Sequence, residues 1–455
     1  MYDLVIQNGT LVTPSGMFAA DLAVKDGKIC AVAAAIPADG AKTVDAAGKL
    51  VLPGAIDPHT HLAMPFGGTV SADDYFAGTR GAVCGGTTTV FDFALQDFGE
   101  NMVDTIRRRD ALCAPDACCD YAFHVGVKDV SGDLLDSMAE AVAYGVSSFK
   151  VFMVYDFGVT DGVFFQVLKK SRKIGALIAV HAENNEMVNT LTAELIAAGQ
   201  TDAWAHYLSR PEWVEAEADA RAIALAEAAD AELYIVHLAN KQGLDALKRA
   251  RAQGLPIYAE TCPQYLHFTS DVYRRPDGRN FVCSPPMKGA ESQKALWAGL
   301  KGGFIDCIST DHCPFQQSEK DWGLDDFRKI PNGCAGIENM YPYMLAAANA
   351  GILTFPQVVA LCSANTAKLF GCTTKGGLEI GKDADIVIYD PEKDFTIRQD
   401  TMHSDADHTV WEGVTLHGYP VQTYVRGTLV YDNGEFIGQR GFGKYISRAP
   451  RPKRV

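Results

Sequence analysis

The segment Asp57-Pro58-His59-Thr60-His61 sets two imidazoles two positions apart at the end of an apolar run. In an extended strand the side chains at i and i+2 point to the same face, so His59 and His61 can reach one cation together. In isolation such a pair is more simply explained as two polar residues satisfied by their neighbours. Three further groups change that reading. His181 follows Ala176-Leu177-Ile178-Ala179-Val180, His237 follows Leu233-Tyr234-Ile235-Val236, and Asp311 follows Ile305-Asp306-Cys307-Ile308-Ser309-Thr310. Each is expected at the C-terminal edge of a strand, so five potential ligands fall on one rim. Lys150, within Ser147-Ser148-Phe149-Lys150-Val151-Phe152, is expected in a buried strand, where an ammonium without a partner is costly. A protonated lysine cannot bind a cation. A lysine whose pKa falls on burial can add carbon dioxide and become a carbamate, a carboxylate-like bridge between two metals. The plainer alternative is a lysine paired with a rim carboxylate.

Groups so far apart in sequence need a scaffold that gathers strand ends. Short apolar runs at 54–61, 87–93, 119–125, 147–152, 177–181, 233–237, 256–260 and 305–311 predict eight strands, with helices between several of them, notably 216–229 and 244–252. The alternation predicts an α/β protein with a parallel sheet. Eight such strands suggest a closed (β/α)8 TIM barrel with its site at the C-terminal strand ends. A doubly wound open sheet is the competing architecture. The two flanks read differently, as short alternating runs punctuated by Asn8-Gly9, Asp26-Gly27 and Asp432-Asn433-Gly434. Neither flank has enough strands to cover its own apolar face, so residues 1–53 and 373–437 are expected to form one small β-sandwich domain beside the barrel of 54–372. The tail 438–455 carries Arg440, Lys444, Arg448, Arg451, Lys453 and Arg454 and is expected either solvated or docked on a neighbouring subunit.

Composition excludes several classes. With 41 Lys+Arg against 56 Asp+Glu the formal charge is −15, which argues against a chain held to nucleic acid through phosphate contacts. The N-terminus shows no secretory signal pattern and no apolar stretch is long enough for a spanning helix, so no membrane association is expected. Twelve cysteines in 455 residues are too sparse for a disulfide scaffold, and a reducing cytoplasm is expected.

Taken together, Val51-Leu52-Pro53-Gly54-Ala55-Ile56-Asp57-Pro58-His59-Thr60-His61, Ser148-Phe149-Lys150, His181-Ala182-Glu183-Asn184, Ile235-Val236-His237-Leu238 and Ser309-Thr310-Asp311-His312-Cys313 resemble the amidohydrolase superfamily, and within it the dihydropyrimidinase/hydantoinase branch. The likeness runs nearly end to end, through Gly376-Gly377-Leu378-Glu379-Ile380-Gly381. The resemblance implies that His59, His61, carbamylated Lys150 and Asp311 hold one zinc ion while Lys150, His181 and His237 hold a second, with a hydroxide bridging them. Manganese or cobalt would suit the same donors. It further implies Asp311 as proton shuttle, Tyr155 as oxyanion donor, Ser284 and Asn332 as residues whose backbones hold a cyclic amide and imide, and a homotetramer.

The chain departs from some members of that superfamily. Dihydroorotases carry an arginine two residues past the second histidine, and Ala63 stands there in this chain. Met64, Phe66, Phe152 and Phe157 would make the pocket for the ring's substituent apolar if the loops fold as in hydantoinases. The reading is a binuclear zinc cyclic amidohydrolase that opens 5,6-dihydropyrimidines or 5-substituted hydantoins to N-carbamoyl amino acids. Allantoinase-like activity is an alternative. A non-catalytic scaffold of the same fold and a mononuclear deaminase are more distant ones.

Overall fold

The computed structural model describes residues 1–452; Lys453 and Arg454 of the expected tail lie outside them. Eight parallel strands follow one another around a barrel: β1 (Ala55–Thr60), β2 (Thr87–Leu95), β3 (Asp120–Gly126), β4 (Ser148–Phe152), β5 (Leu177–His181), β6 (Leu233–Ile235), β7 (Ile257–Thr261) and β8 (Cys307–Ile308). Each pairs with its sequence neighbour, and the ring closes just past β8, where Thr60 bridges His312 and the His61 amide donates to the His312 carbonyl at 2.8 Å. The strands are apolar on both faces because helices cover the outside and side chains fill the inside. In β2, for example, every residue from Thr87 to Ala94 is buried. The chain is an α/β (β/α)8 barrel, as its alternating pattern predicts.

The helix Asp161–Ile174 after β4 shows how local sequence builds the outer layer. The Thr160 side chain accepts from the Val163 amide at the start, and Gly175 ends the helix with φ of 73°, a left-handed conformation that glycine adopts without a Cβ penalty. Phe164, Val167, Leu168 and Ser171 recur at helical spacing on the buried face. Each large apolar side chain there contributes roughly 1.5–3 kcal/mol by leaving water. The stretches expected as helices at 216–229 and 244–252 lie within Glu212–Ala229 and Lys241–Ala252.

The flanking segments form two further sheets. Leu4–Gln7, Asp21–Lys25, Lys28–Ala33 and Lys42–Asp45 make a four-stranded sheet, and strands from both ends of the chain make a seven-stranded one, in which Ile386–Thr396 pairs with Leu50–Pro53. Leu4, Ile6, Leu22, Val51, Ile386 and Val421 pack into a shared core. Residues 397–414, between two long strands of the larger sheet, reach back over the barrel, where Ser404 Oγ donates to Asp73 and Trp411 Nε1 to the Ala335 carbonyl.

Two expectations need correction. β6 and β8 are shorter than the predicted 233–237 and 305–311, and His237 (φ 38°) and Asp311 (φ 51°), in left-handed backbone, lie beyond the ladder. The described part of the tail is not free in solvent but docked on its own barrel. Through Arg451 it runs across the N-terminal end of its own barrel, with amides of Ile446, Arg448, Ala449 and Arg451 donating to carbonyls of Tyr121, Gly145, Gly371 and Gly175. Buried Arg448 donates to Ser148 Oγ at 2.6 Å and to the Phe123 carbonyl. Arg440, Arg448 and Arg451 are thus taken up by acids, hydroxyls and carbonyls of the barrel.

Candidate metal centre

The C-terminal ends of the barrel strands frame an open pocket. All twelve residues nominated from the sequence line it: His59, His61, Met64, Phe66, Lys150, Phe152, Tyr155, His181, His237, Ser284, Asp311 and Asn332. Phe157, also expected from the sequence in the apolar part of the pocket, lines it too, and Leu95, Cys313 and Gly333 join them.

The floor is a chain of imidazoles. Ring centroids lie 5.1 Å apart for His59 and His61, 5.3 Å for His59 and His237, and 4.6 Å for His237 and His181. Burial keeps His59, His181 and His237 below the usual histidine pKa, in the neutral form that a metal requires. Asp311 Oδ1 lies 3.0 Å from His61 Nε2 and 3.2 Å from His59 Nε2. Donor atoms of these three residues all fall within 4.8 Å of one another. The second ring nitrogen of His59 is committed, since Nδ1 meets Glu260 Oε1 at 2.5 Å. When Nδ1 donates there, Nε2 turns a lone pair toward the Asp311 carboxylate, an opposition of two acceptors that a cation between them resolves. His181 Nε2 is held by Glu183 at 2.7 Å, and Glu183 in turn by Arg210 at 2.6 Å.

Lys150 is the least conventional member. It is buried in the middle of β4, and no hydrogen bond or ion pair reaches its Nζ among the described residues; the rings of Phe93 and Phe152 stand 5.2 and 5.1 Å away. The alternative of a lysine paired with a rim carboxylate is therefore not what the structure shows. Burial brings its pKa down to about 7 against the opposing pull of Asp311 and Glu260. An amine with that environment, together with the partnerless buried Nδ1 of His237, suits a pair of divalent cations.

The backbone is shaped for the same purpose. Tyr155 (φ 76°), His237 and Asp311 are non-glycine residues in left-handed conformations, clustered at one rim, and such strain concentrates where side chains must be aimed. Asp57, buried in β1, accepts from the amides of His59 and Thr310 and from Thr310 Oγ1 at 2.5 Å, so it fastens the Asp311 turn to the histidine pair. On the opposite wall Asn332 Nδ2 donates to Ser284 Oγ at 3.0 Å. Gly333, beside Asn332, has no room for a side chain, since a Cβ would stand 2.2 Å from the Cys313 carbonyl oxygen. Phe66, Phe152, Tyr155 and Phe157 form an aromatic side wall, with centroid separations of 5.2 to 6.4 Å.

Sequence reading missed Glu260, which closes β7 and contacts His59, the His237 amide and Tyr234. Its signal was the one that found His181: a polar residue closing an apolar strand. Arg210 carries no such signal, because nothing local marks a helix-terminal cation as buried.

Comparison with known proteins agrees with this geometry. The sequence model of the amidohydrolase family matches residues 50–430. The D-hydantoinase of Rhizobium radiobacter is 39% identical over 452 residues, covering 98% of this chain and 99% of its own, and that of Streptomyces coelicolor is 40% identical over 456, covering 98% of each. The crystal structure of dihydropyrimidinase from Brevibacillus agri superposes with a TM-score of 0.97 at 39% identity over 99% of both chains. An L-hydantoinase (dihydropyrimidinase) from Arthrobacter aurescens gives 0.91 at 31%, over 98% of this chain and 100% of the other. With this match over most of its length and its ligand-bearing residues gathered at the mouth of a (β/α)8 barrel, the chain belongs to the amidohydrolase family.

Proposed function

We propose that this protein is a metal-dependent cyclic amidohydrolase that opens 5,6-dihydropyrimidines and 5-substituted hydantoins to N-carbamoyl amino acids. The observation that carries the reading is one pocket in which six candidate ligands meet a tyrosine, two backbone-presenting loops and an apolar side wall. The full-length relatives named D-hydantoinase support it.

In this reading His59, His61, Lys150 and Asp311 would hold one divalent ion, and Lys150, His181 and His237 the second, with Lys150 carbamylated so that it bridges them. Two such ions, zinc or alternatively manganese or cobalt, would lower the pKa of a water and polarise the ring carbonyl. The residues divide the remaining work. Backbone groups at Ser284 and Asn332 read the N–H and C=O edges of the ring, leaving its substituent to face Met64, Phe66 and Phe152. Tyr155 is held protonated, because burial raises its phenol well above the ordinary tyrosine range, and it donates to the carbonyl oxygen as negative charge develops. The water oxygen bonds to the carbonyl carbon, Asp311 Oδ1 takes its proton, and the ring C–N bond breaks as that proton passes to nitrogen.

The division into a sandwich of 1–53 and 373–437, a barrel of 54–372 and a tail, together with a cytoplasmic homotetramer, belongs to the same proposal. Light scattering checks the assembly. Twelve free cysteines, eleven of them buried, suit a reducing compartment, and no helix among the described residues is long and apolar enough to cross a membrane.

A turnover panel of dihydrouracil, hydantoin, 5-phenylhydantoin and allantoin tests the function. Ring opening of the first three faster than allantoin is expected. Preference for allantoin would replace the reading with its nearest alternative, and no turnover with metals bound would remove it.

A further inference from the structure

Outside the metal site, the described chain contains one buried cation whose bonds all end on the pocket's opposite wall. Lys320 closes the short helix Gln317–Lys320 and is 1% exposed. Its Nζ donates to the carbonyls of Val282 at 3.0 Å, Pro331 at 2.8 Å and Gly333 at 2.7 Å. These are the three donors an ammonium has, so it is fully satisfied. No salt bridge reaches it among the described residues; the Phe315 ring, at 5.6 Å, and the more distant Glu319 carboxylate add weaker favourable interactions. A buried ammonium hydrogen-bonded only to carbonyl dipoles loses much of its hydration, which is a cost the fold retains at this position.

The three carbonyls belong to the two loops that carry Ser284 and Asn332. The loops also touch each other, through the Gly333 amide on the Val282 carbonyl at 2.9 Å and Asn332 Nδ2 on Ser284. Lys320 does not itself line the pocket. A trans peptide is planar, with its C=O and N–H pointing in opposite directions. Drawing the Pro331 oxygen toward Lys320 therefore aims the Asn332 N–H away from it, and drawing the Gly333 and Val282 oxygens inward fixes the peptides of Cys334 and Cys283 in the same way. We infer that Lys320 is a positioning residue that sets the peptide planes of both ring-reading loops, so that this wall presents a preformed pattern of backbone donors and acceptors to a cyclic amide.

The inference rests on the proposed function but can be separated from it. Groups that hold the ring equally in ground and transition states act on KM and leave kcat alone. Lys320→Met should raise KM for dihydrouracil and hydantoin at least tenfold, with kcat within threefold and bound metal unchanged. Amide hydrogen exchange at Gly333 should speed up at least tenfold. An unchanged KM with unchanged exchange would overturn the assignment, as would a loss confined to kcat and metal content. Should the Met variant fail to fold, Lys320→Ala is assayed with propylammonium, which restores the missing atoms and charge, and with propan-1-ol, which restores volume. Rescue of KM by the amine alone supports positioning; equal rescue by both, or by neither, refutes it. If the wild-type protein turns over no cyclic amide, the proposed function fails, and the exchange measurement still decides the role of Lys320.

Discussion

Glu260 is the residue whose replacement most directly tests how this site is held. Its carboxyl meets His59 Nδ1 at 2.5 Å, the Tyr234 hydroxyl at 2.8 Å and the His237 amide at 3.2 Å, all without solvent contact. It therefore touches one histidine of each proposed ligand set. Burial raises its pKa to about 8, so an amide is a close substitute for it in both shape and charge at neutral pH. Glu260→Gln keeps an acceptor for one partner and misplaces a donor toward another. From the usual effect of partners behind metal ligands, a 10–100-fold loss in metal affinity or kcat/KM is expected, roughly 1.4–2.7 kcal/mol. Glu260→Ala leaves three buried groups unpaired, at about 1–3 kcal/mol each, and should lower global stability as well as affinity. The assay is zinc titration of the metal-free protein against a competing chelator, followed by kcat/KM at saturating metal. A Gln variant within twofold of wild type on both measures would show that the imidazoles are aimed without this carboxyl, and the argument from His59 geometry would fail.

Three other outcomes follow from the same structure. Lys150→Ala should abolish turnover, and near-normal rates in a steady-state assay would favour a mononuclear site in which the lysine has no part. Tyr155→Phe, which removes one donor to the developing oxyanion, should lower kcat about 10²–10³-fold with little change in KM, and an equal change in both parameters would assign the phenol to substrate binding instead. Lys375, fully buried between the start of β3 and the larger flanking sheet, meets Asp385 at 2.7 Å and Asp383 at 3.2 Å as well as Asp120. Lys375→Met strands these carboxylates and should cost about 3–5 kcal/mol in urea unfolding; a loss below about 1 kcal/mol would mean that Arg426, also on Asp120, neutralises the cluster by itself.

Much of the candidate site was legible because most of its candidate ligands stand at strand ends. An apolar run ending in His181 or followed by Asp311 announces both the strand and the rim it reaches, and in a barrel every such rim is the same rim. The strand ends themselves were less legible. His237 and Asp311 continue the apolar pattern while leaving the ladder, because a positive φ is imposed by contacts from other segments, such as Asp57 on Thr310. The described part of the tail was hard to place for a related reason: basic residues with little periodicity look solvated until Arg448 and Arg451 are seen to donate to the Phe123 and Leu369 carbonyls.

Alternation of short apolar runs with helical stretches was enough to determine a parallel α/β sheet, since each strand needs cover on both faces and neighbours in sequence supply it at short range, and eight strands favoured closure; only the structure showed that the ring closes, at Thr60 and His312. Residue type and spacing likewise determined which side chains could bind metal. Tertiary structure alone decided the supports: Glu260 behind His59, Arg210 behind Glu183, and Lys320 beneath two loops some fifty residues apart. A strand or helix pattern records only the side of an element that faces the core, whereas a hydrogen-bond partner is chosen by whichever distant segment arrives there with a matching donor or acceptor.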